Sequence, residues 1–253
     1  MPNGDLAWAF DSSGTQYLSV ADPGDGSLSI NKTGQLTVEA WIQLDAMNQP
    51  HNSPGLDQGV NAFGKSVDTS TPSVSTDGCE YQFRYYSANT TDSGNAPTNI
   101  CYYAFNKACG LGAGSDDHID PSNGYNKNTT DWYYFVGAYD TTAQTIAGTS
   151  FPYGCVTLYG GVYGSSKWTG GVLNRADLQV TWAPGQPIIR PSHTTAPLTI
   201  GACGLSSRFK DEGSAGYFYG KIGKLAIYPR ALTQSEIETH FNAMFGAVPQ
   251  PRA

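Results

Sequence analysis

Short runs of alternating apolar and polar positions follow one another along the chain, broken by Gly, Pro and Asn. They are LAWAFD, QYLSVA, LTVEAWIQL, CEYQFRYYSA, ICYYAFN, DWYYFVGAYD, CVTLYGGVYG, DLQVTWA, APLTIGAC and YGKIGKLAIY, all rich in Val, Ile, Thr, Tyr and Trp. A period of two sends successive side chains to opposite faces, so about ten such runs predict an all-β sandwich of two antiparallel sheets. In TVEAWI, Val38, Ala40 and Ile42 share one face, and Thr37, Glu39 and Trp41 share the other. The aromatic pairs in RYYS, CYYA and WYYF must each send one ring to either face; one set fills the core and the other covers the outside or lines a groove.

The period changes once, near the C-terminus. In ALTQSEIETHFNAMF, Thr233 and Glu236 form a capping box, and Leu232 with Ile237 has the spacing of a hydrophobic staple. Ile237, Phe241 and Phe245 then recur at helical spacing and give one apolar stripe to lay on the sandwich. The helix is expected to start near Gln234 and to serve structure. Three polar inserts, 46–61, 66–78 and 109–130, are too polar to form cores of their own and are expected to emerge as long loops on one rim. No repeat or linker splits the chain, so residues 1–247 are expected to form one domain, with VPQPRA (248–253) a short disordered tail.

Composition narrows the function classes. Only 14% of the 253 residues are charged, so the surface must be built from Ser, Thr, Asn, Gly and Tyr, as on an exterior-type β protein. A net charge of −7 argues against nucleic acid, which requires a basic face. No apolar run approaches the ~20 residues of a membrane-spanning helix. The opening MPNGDLAWAF has neither a basic n-region nor an apolar h-region. The expectation is either that a leader has been cut away, or that the protein reaches the outside without one. Cys79, Cys101, Cys109, Cys155 and Cys203 are odd in number, with no C-x-x-C, which makes a zinc framework unexpected. One or two disulfides plus a thiol, or five thiols, both fit, and the pairing stays open.

FDSSGTQYLSV, LTVEAWIQL, FGKS, DWYYFVGAYD, LTIGA and YGKIGKLAIYPRALTQSEI come in an order that resembles LamG-like (concanavalin A-like lectin/glucanase) jelly rolls, from about Leu6 to Phe245. The most specific piece is the last, a G-x-I strand leading into a short capped helix. The resemblance implies a two-sheet jelly roll with one concave sheet, in a family that mostly binds glycans or proteins and often holds calcium. Gly223 and Lys224 stand where relatives usually place acidic residues, so no metal is implied by descent.

Several motifs invite a chemical role. GVNAFGKS (59–66) satisfies the phosphate-loop spacing letter for letter, but VDTSTPSVSTDG follows it, with β-branched residues and Pro72 where a helix must start. It is expected to be a strand end without nucleotide. GSDDHIDPSNG gathers Asp116, Asp117, His118 and Asp120; a calcium ion could use these carboxylates, while the plain alternative is a solvated acidic loop. Glycosidase chemistry needs two carboxylates flanking the scissile bond, and neither Glu39 nor Glu80 has a second acid at i+2 or i+4. Catalysis is therefore not expected. The aromatics remain: flat rings stack on sugar faces, which makes Trp168, Tyr103 and Tyr85 the candidate ligand contacts.

Three functions fit these observations. The first is a non-catalytic virion surface protein, a phage head decoration or tail component that partners other virion proteins or itself and contacts a host glycan. The second is a secreted carbohydrate-binding module, and the third a glycan-active hydrolase or lyase.

Overall fold

In the computed structural model the described residues are 1, 3–11, 16–49, 59–66, 79–88, 98, 100–104, 117–118, 128–146, 148–152, 154–163, 174–178, 196–202 and 217–246. They form two six-stranded sheets. The first runs in the order β1 (Trp8–Phe10), β14 (Gly220–Tyr228), β3 (Gln35–Leu44), β8 (Trp132–Asp140), β11 (Cys155–Tyr163), β12 (Asn174–Leu178). The second runs β2 (Leu18–Val20), β13 (Leu198–Ile200), β4 (Gly59–Ser66), β5 (Cys79–Tyr86), β6 (Ile100–Ala104), β7 (Asp117–His118). A ribbon of β9 (Gln144–Ile146) and β10 (Thr149–Phe151) follows β8, a four-residue helix α1 (Ile30–Thr33) leads into β3, and α2 (Gln234–Gly246) closes the chain. Every pairing is antiparallel. The architecture is the expected two-sheet jelly roll with one short C-terminal helix.

Alternation builds the core. Leu36, Val38, Ala40, Ile42 and Leu44 of β3 meet Phe63, Tyr81, Phe83 and Tyr85 of the second sheet, with Tyr133, Phe135 and Tyr139 from β8. Between Phe135 and Tyr139 the inward position is Gly137, because Tyr102 of β6 lies against it; a Cβ there would overlap the Tyr102 ring. The opposite face of the first sheet is also buried. Trp41, Trp132, Tyr134, Val136, Tyr159 and Tyr163 pack there with Leu232, Ile237, Phe241 and Met244 of the α2 region. Trp41 stacks on Phe241 at 5.6 Å and on Tyr134 at 5.1 Å. Gly161 on β11 leaves room for the Phe241 ring. Ile237 and Phe241 thus dock as the stripe predicts, joined by Met244, while the side chain of Phe245 lies outside the described residues.

The capping box is formed. Thr233 N donates to Glu236 Oε2 at 2.8 Å and Glu236 N to Thr233 Oγ1 at 3.3 Å. The Arg230 guanidinium beside Glu236, with Thr233, holds that carboxyl down at about 2.

One expectation is corrected. Inserts 46–61 and 66–78 attach at opposite ends of β4, at Gly59 and Ser66, so they do not leave from one rim. Residues 50–58 and 67–78 and most of 109–130 lie outside the described residues.

Two substitutions test this packing. Gly137→Ala should lower the unfolding free energy by about 1–3 kcal/mol through overlap with Tyr102, read from urea denaturation midpoints. Thr233→Ala should cost about 1 kcal/mol through the lost cap; an unchanged midpoint would contradict the capping contact.

Candidate functional site

Three polar constellations stand out against this apolar frame. The first explains the glycine-lysine-serine stretch. It is β4, an extended strand, and the Lys65 ammonium is completely buried at 2.7 Å from Asp22 Oδ2 and 2.6 Å from Glu80 Oε1. The ladder between β4 and β5 pairs Lys65 with Tyr81 and Ser66 with Cys79, leaving Glu80 as the extra residue of a bulge. Bulges re-aim a side chain, and here Glu80 turns to meet Lys65 and to accept a hydrogen bond from Ser29 Oγ at 3.1 Å. A lysine held this way between two carboxylates is committed to the fold.

The second constellation lies under α2. Glu39, buried on the outer face of β3, accepts hydrogen bonds from Tyr134 at 2.6 Å and Tyr228 at 3.0 Å, and sits 3.0 Å from His240 Nδ1. Burial, reinforced by the neighbouring carboxylate, pushes the Tyr134 phenol well above its usual range and Tyr228 up to about 12. Both phenols therefore stay protonated and serve as donors to Glu39. Glu39 on the outer face of the first sheet and Glu80 on the second sheet are each held by their own partners, and they do not form the facing pair that glycosidic cleavage uses.

The third constellation is the outer face of the second sheet. On β5, Tyr81, Phe83 and Tyr85 point into the core, so Gln82, Arg84 and Tyr86 occupy the other face. Arg84 Nη1 donates to Tyr86 Oη at 3.3 Å and its guanidinium lies 5.7 Å from the Tyr86 ring centre. Pairing extends the face into two rows across the sheet. One row runs Ser19, Thr199, Gly64, Gln82, Tyr103; the other runs Asn61, Arg84, Cys101, His118. Among the described side chains, the amide of Gln82, the guanidinium of Arg84 and the phenol of Tyr86 thus share one sheet face, and all three are buried.

Sequence candidates fall on both sides of this division. Tyr85 belongs to the core: it is buried, its hydroxyl donates to the Met47 carbonyl at 3.1 Å, and burial raises its pKa. Its neighbour Tyr86 is the ring on the outer face, a shift of one residue that alternation makes decisive. Tyr103 takes a register position opposite Gln82. Trp168, Asp116 and Asp120 lie outside the described residues, and Asp117 is placed only as the first residue of β7. No group of three or more His, Cys, Asp or Glu able to hold a metal occurs among the described residues. Cys155 is a buried thiol that accepts from Gln144 Nε2 at 3.1 Å; Cys79 and Cys101 lie on β5 and β6, and Cys109 and Cys203 fall outside the described residues. Among the described residues no helix is long and apolar enough to cross a membrane.

Gln82 and Arg84 were missed in the sequence, although CEYQFRYY carries the signal: Gln and Arg hold the non-core positions of a strand in the middle of its sheet.

Lys65→Met should destabilise the fold by about 3–5 kcal/mol, because Asp22 and Glu80 are left buried without their cation. The deficit is read from the chemical-denaturation midpoint, and an unchanged midpoint would contradict this account of the cluster.

No family profile matches the chain, and no curated protein matches it. Solved structures do. A Bacteroides ovatus protein described as carbohydrate binding superimposes with a TM-score of 0.47 at 15% identity, covering 89% of this chain and 44% of its own length. A heptameric SAP-like pentraxin from Limulus polyphemus gives 0.42 at 15% identity, over 81% of this chain and 68% of its own. An arabinofuranosidase bound to arabinofuranosyl-alpha-1,2-xylobiose gives 0.46 at 10% identity, over 84% of this chain and 36% of its own. The chain therefore spans under half the length of the Bacteroides protein and of the arabinofuranosidase.

Proposed function

We propose that this chain is a non-catalytic glycan-binding jelly roll of the LamG-like kind, and that its ligand lies over the outer face of the second sheet. The observation that carries this is the polar row on β5. Gln82, Arg84 and Tyr86 share the face opposite the inter-sheet core and are buried there, on a strand flanked by partners on both sides. Burying an amide and a guanidinium is costly unless they are held by partners, and such held groups make a rigid floor for recognition. Tyr103, next to Gln82 in register, and Trp168 supply the flat rings that a sugar face stacks upon. The commitment of Glu39 to Tyr134 and Tyr228, and of Glu80 to Lys65, supports binding without hydrolysis.

The setting we propose is display on a particle, such as a phage head or tail, where many copies face one host surface. A chain with only 14% charged residues is suited to bind sugars by hydrogen bonds and stacking, so each contact is weak and multivalency supplies the avidity.

The test is a glycan array probed with the protein in multivalent form. Wild type should bind a defined glycan set, and Tyr103→Ala and Trp168→Ala should each weaken binding at least about tenfold while the denaturation midpoint is kept. Absence of any multivalent glycan binding by wild type overturns the binding role. Failure to associate with purified particles overturns the display setting.

A further inference from the structure

One carboxylate would balance the Lys65 ammonium, yet the fold brings two to it. The side chains of Lys65 and Glu80 are completely buried and that of Asp22 is 5% exposed. Enclosing a second carboxylate is costly for a site that only needs an ion pair. Nζ lies 2.7 Å from Asp22 Oδ2 and 2.6 Å from Glu80 Oε1, so an amine, a carboxyl carbon and a second acid meet away from water. The other oxygen of Asp22, Oδ1, accepts a hydrogen bond from the Gly24 backbone N–H, and Ser29 Oγ donates to Glu80 Oε1 at 3.1 Å. Aromatic rings wall the cluster: burial pushes the phenols of Tyr81 and Tyr102 up, with Glu80 among the charges that add to it.

We propose that Lys65 condenses with Asp22 to form an intramolecular isopeptide bond, with Glu80 as the proton carrier. Glu80 relays two protons from Nζ to Asp22 Oδ2, one before the attack and one after it. The first turns the ammonium into an amine and the carboxylate into an acid, and the amine lone pair then attacks Cγ. Oδ1 takes the developing negative charge beneath the Gly24 N–H. The second proton lets Oδ2 leave as water while the C=O bond to Oδ1 re-forms. Ammonium and carboxylate thus give amide and water, Glu80 is regenerated, and no oxidant or other reactant is needed. The groups start in contact, which removes the entropy cost of bringing them together. Buried charges fall from three to one, which favours the product. Leu198 of β13 pairs with Val20 of β2 on one side and with Lys65 of β4 on the other. Asp22 lies two residues beyond Val20, so the bond ties the edge strand β2 to β4 across the end of β13. Such a tie holds under reducing and oxidising conditions alike.

Mass spectrometry of the full chain, folded first and then denatured and digested with trypsin, tests this without any glycan. Wild type should be lighter than its sequence by one water, resist cleavage after Lys65, and yield a branched peptide that joins the Asp22 and Lys65 segments. Asp22→Ala and Lys65→Arg should keep their full mass. Glu80→Gln retains both partners and should join them at least about a hundredfold more slowly, with circular dichroism showing that its β structure is kept. The wild-type measurement stands whether or not a variant folds. A wild type of full mass, cleaved normally after Lys65, overturns the proposal, as does a lost water traced to any other residue. A folded Glu80→Gln chain that joins as fast as wild type overturns the assignment of the proton carrier.

Discussion

On β3, β8 and β11, inward positions meet the second sheet and outward positions meet α2, so neither face has water to solvate a polar group. Much of the rest follows from that constraint. A strand buried on both faces can carry a carboxylate only where donors replace its hydration, and Glu39 has Tyr134, Tyr228 and His240 around it. It also demands small residues where two layers press on one strand: Gly137 yields to Tyr102 from one side of the first sheet and Gly161 to Phe241 from the other. Close packing leaves no slack for an added methyl at either position.

The second sheet is under a different regime. Its inner face is as apolar as that of the first, but its outer face carries Gln82, Arg84 and Tyr86, all three buried, and α2 packs on the first sheet instead. Both sheets thus hold polar groups on their outer faces, Glu39 beneath α2 on the first and Gln82 with Arg84 on a central strand of the second. The ion cluster of Lys65, Asp22 and Glu80 sits at one end of that second sheet and fixes β4 against β5 and the turn before α1.

How much of this the sequence disclosed depends on the range of the interaction. Period-two alternation is local, so the faces of β3 were legible residue by residue, as were the helix cap at Thr233 and the docking of Ile237 and Phe241. The phosphate-loop match was rightly set aside because helix formation is also a local matter. Choosing between Tyr85 and Tyr86 needed the register of β5 against β4 and β6, a long-range property, and there the sequence candidate landed on the core ring. The bulge that aims Glu80 at Lys65 was illegible for the same reason, since an extra residue shows itself only against its partner strand. Placing the inserts on one rim failed because loop length says nothing about direction along the strand between them.

The buried ion cluster also constrains how this protein can change over evolutionary time. Losing Lys65 first strands two carboxylates in an apolar interior, whereas losing Asp22 or Glu80 first leaves the ammonium one remaining counter-ion. The order of substitutions is therefore not free: a lineage that abandons the cluster must neutralise an acid before it gives up the lysine. Descendants are expected to keep all three residues together or to have replaced them with apolar ones as a set, with lone carboxylates at positions 22 and 80 the combination rarely seen.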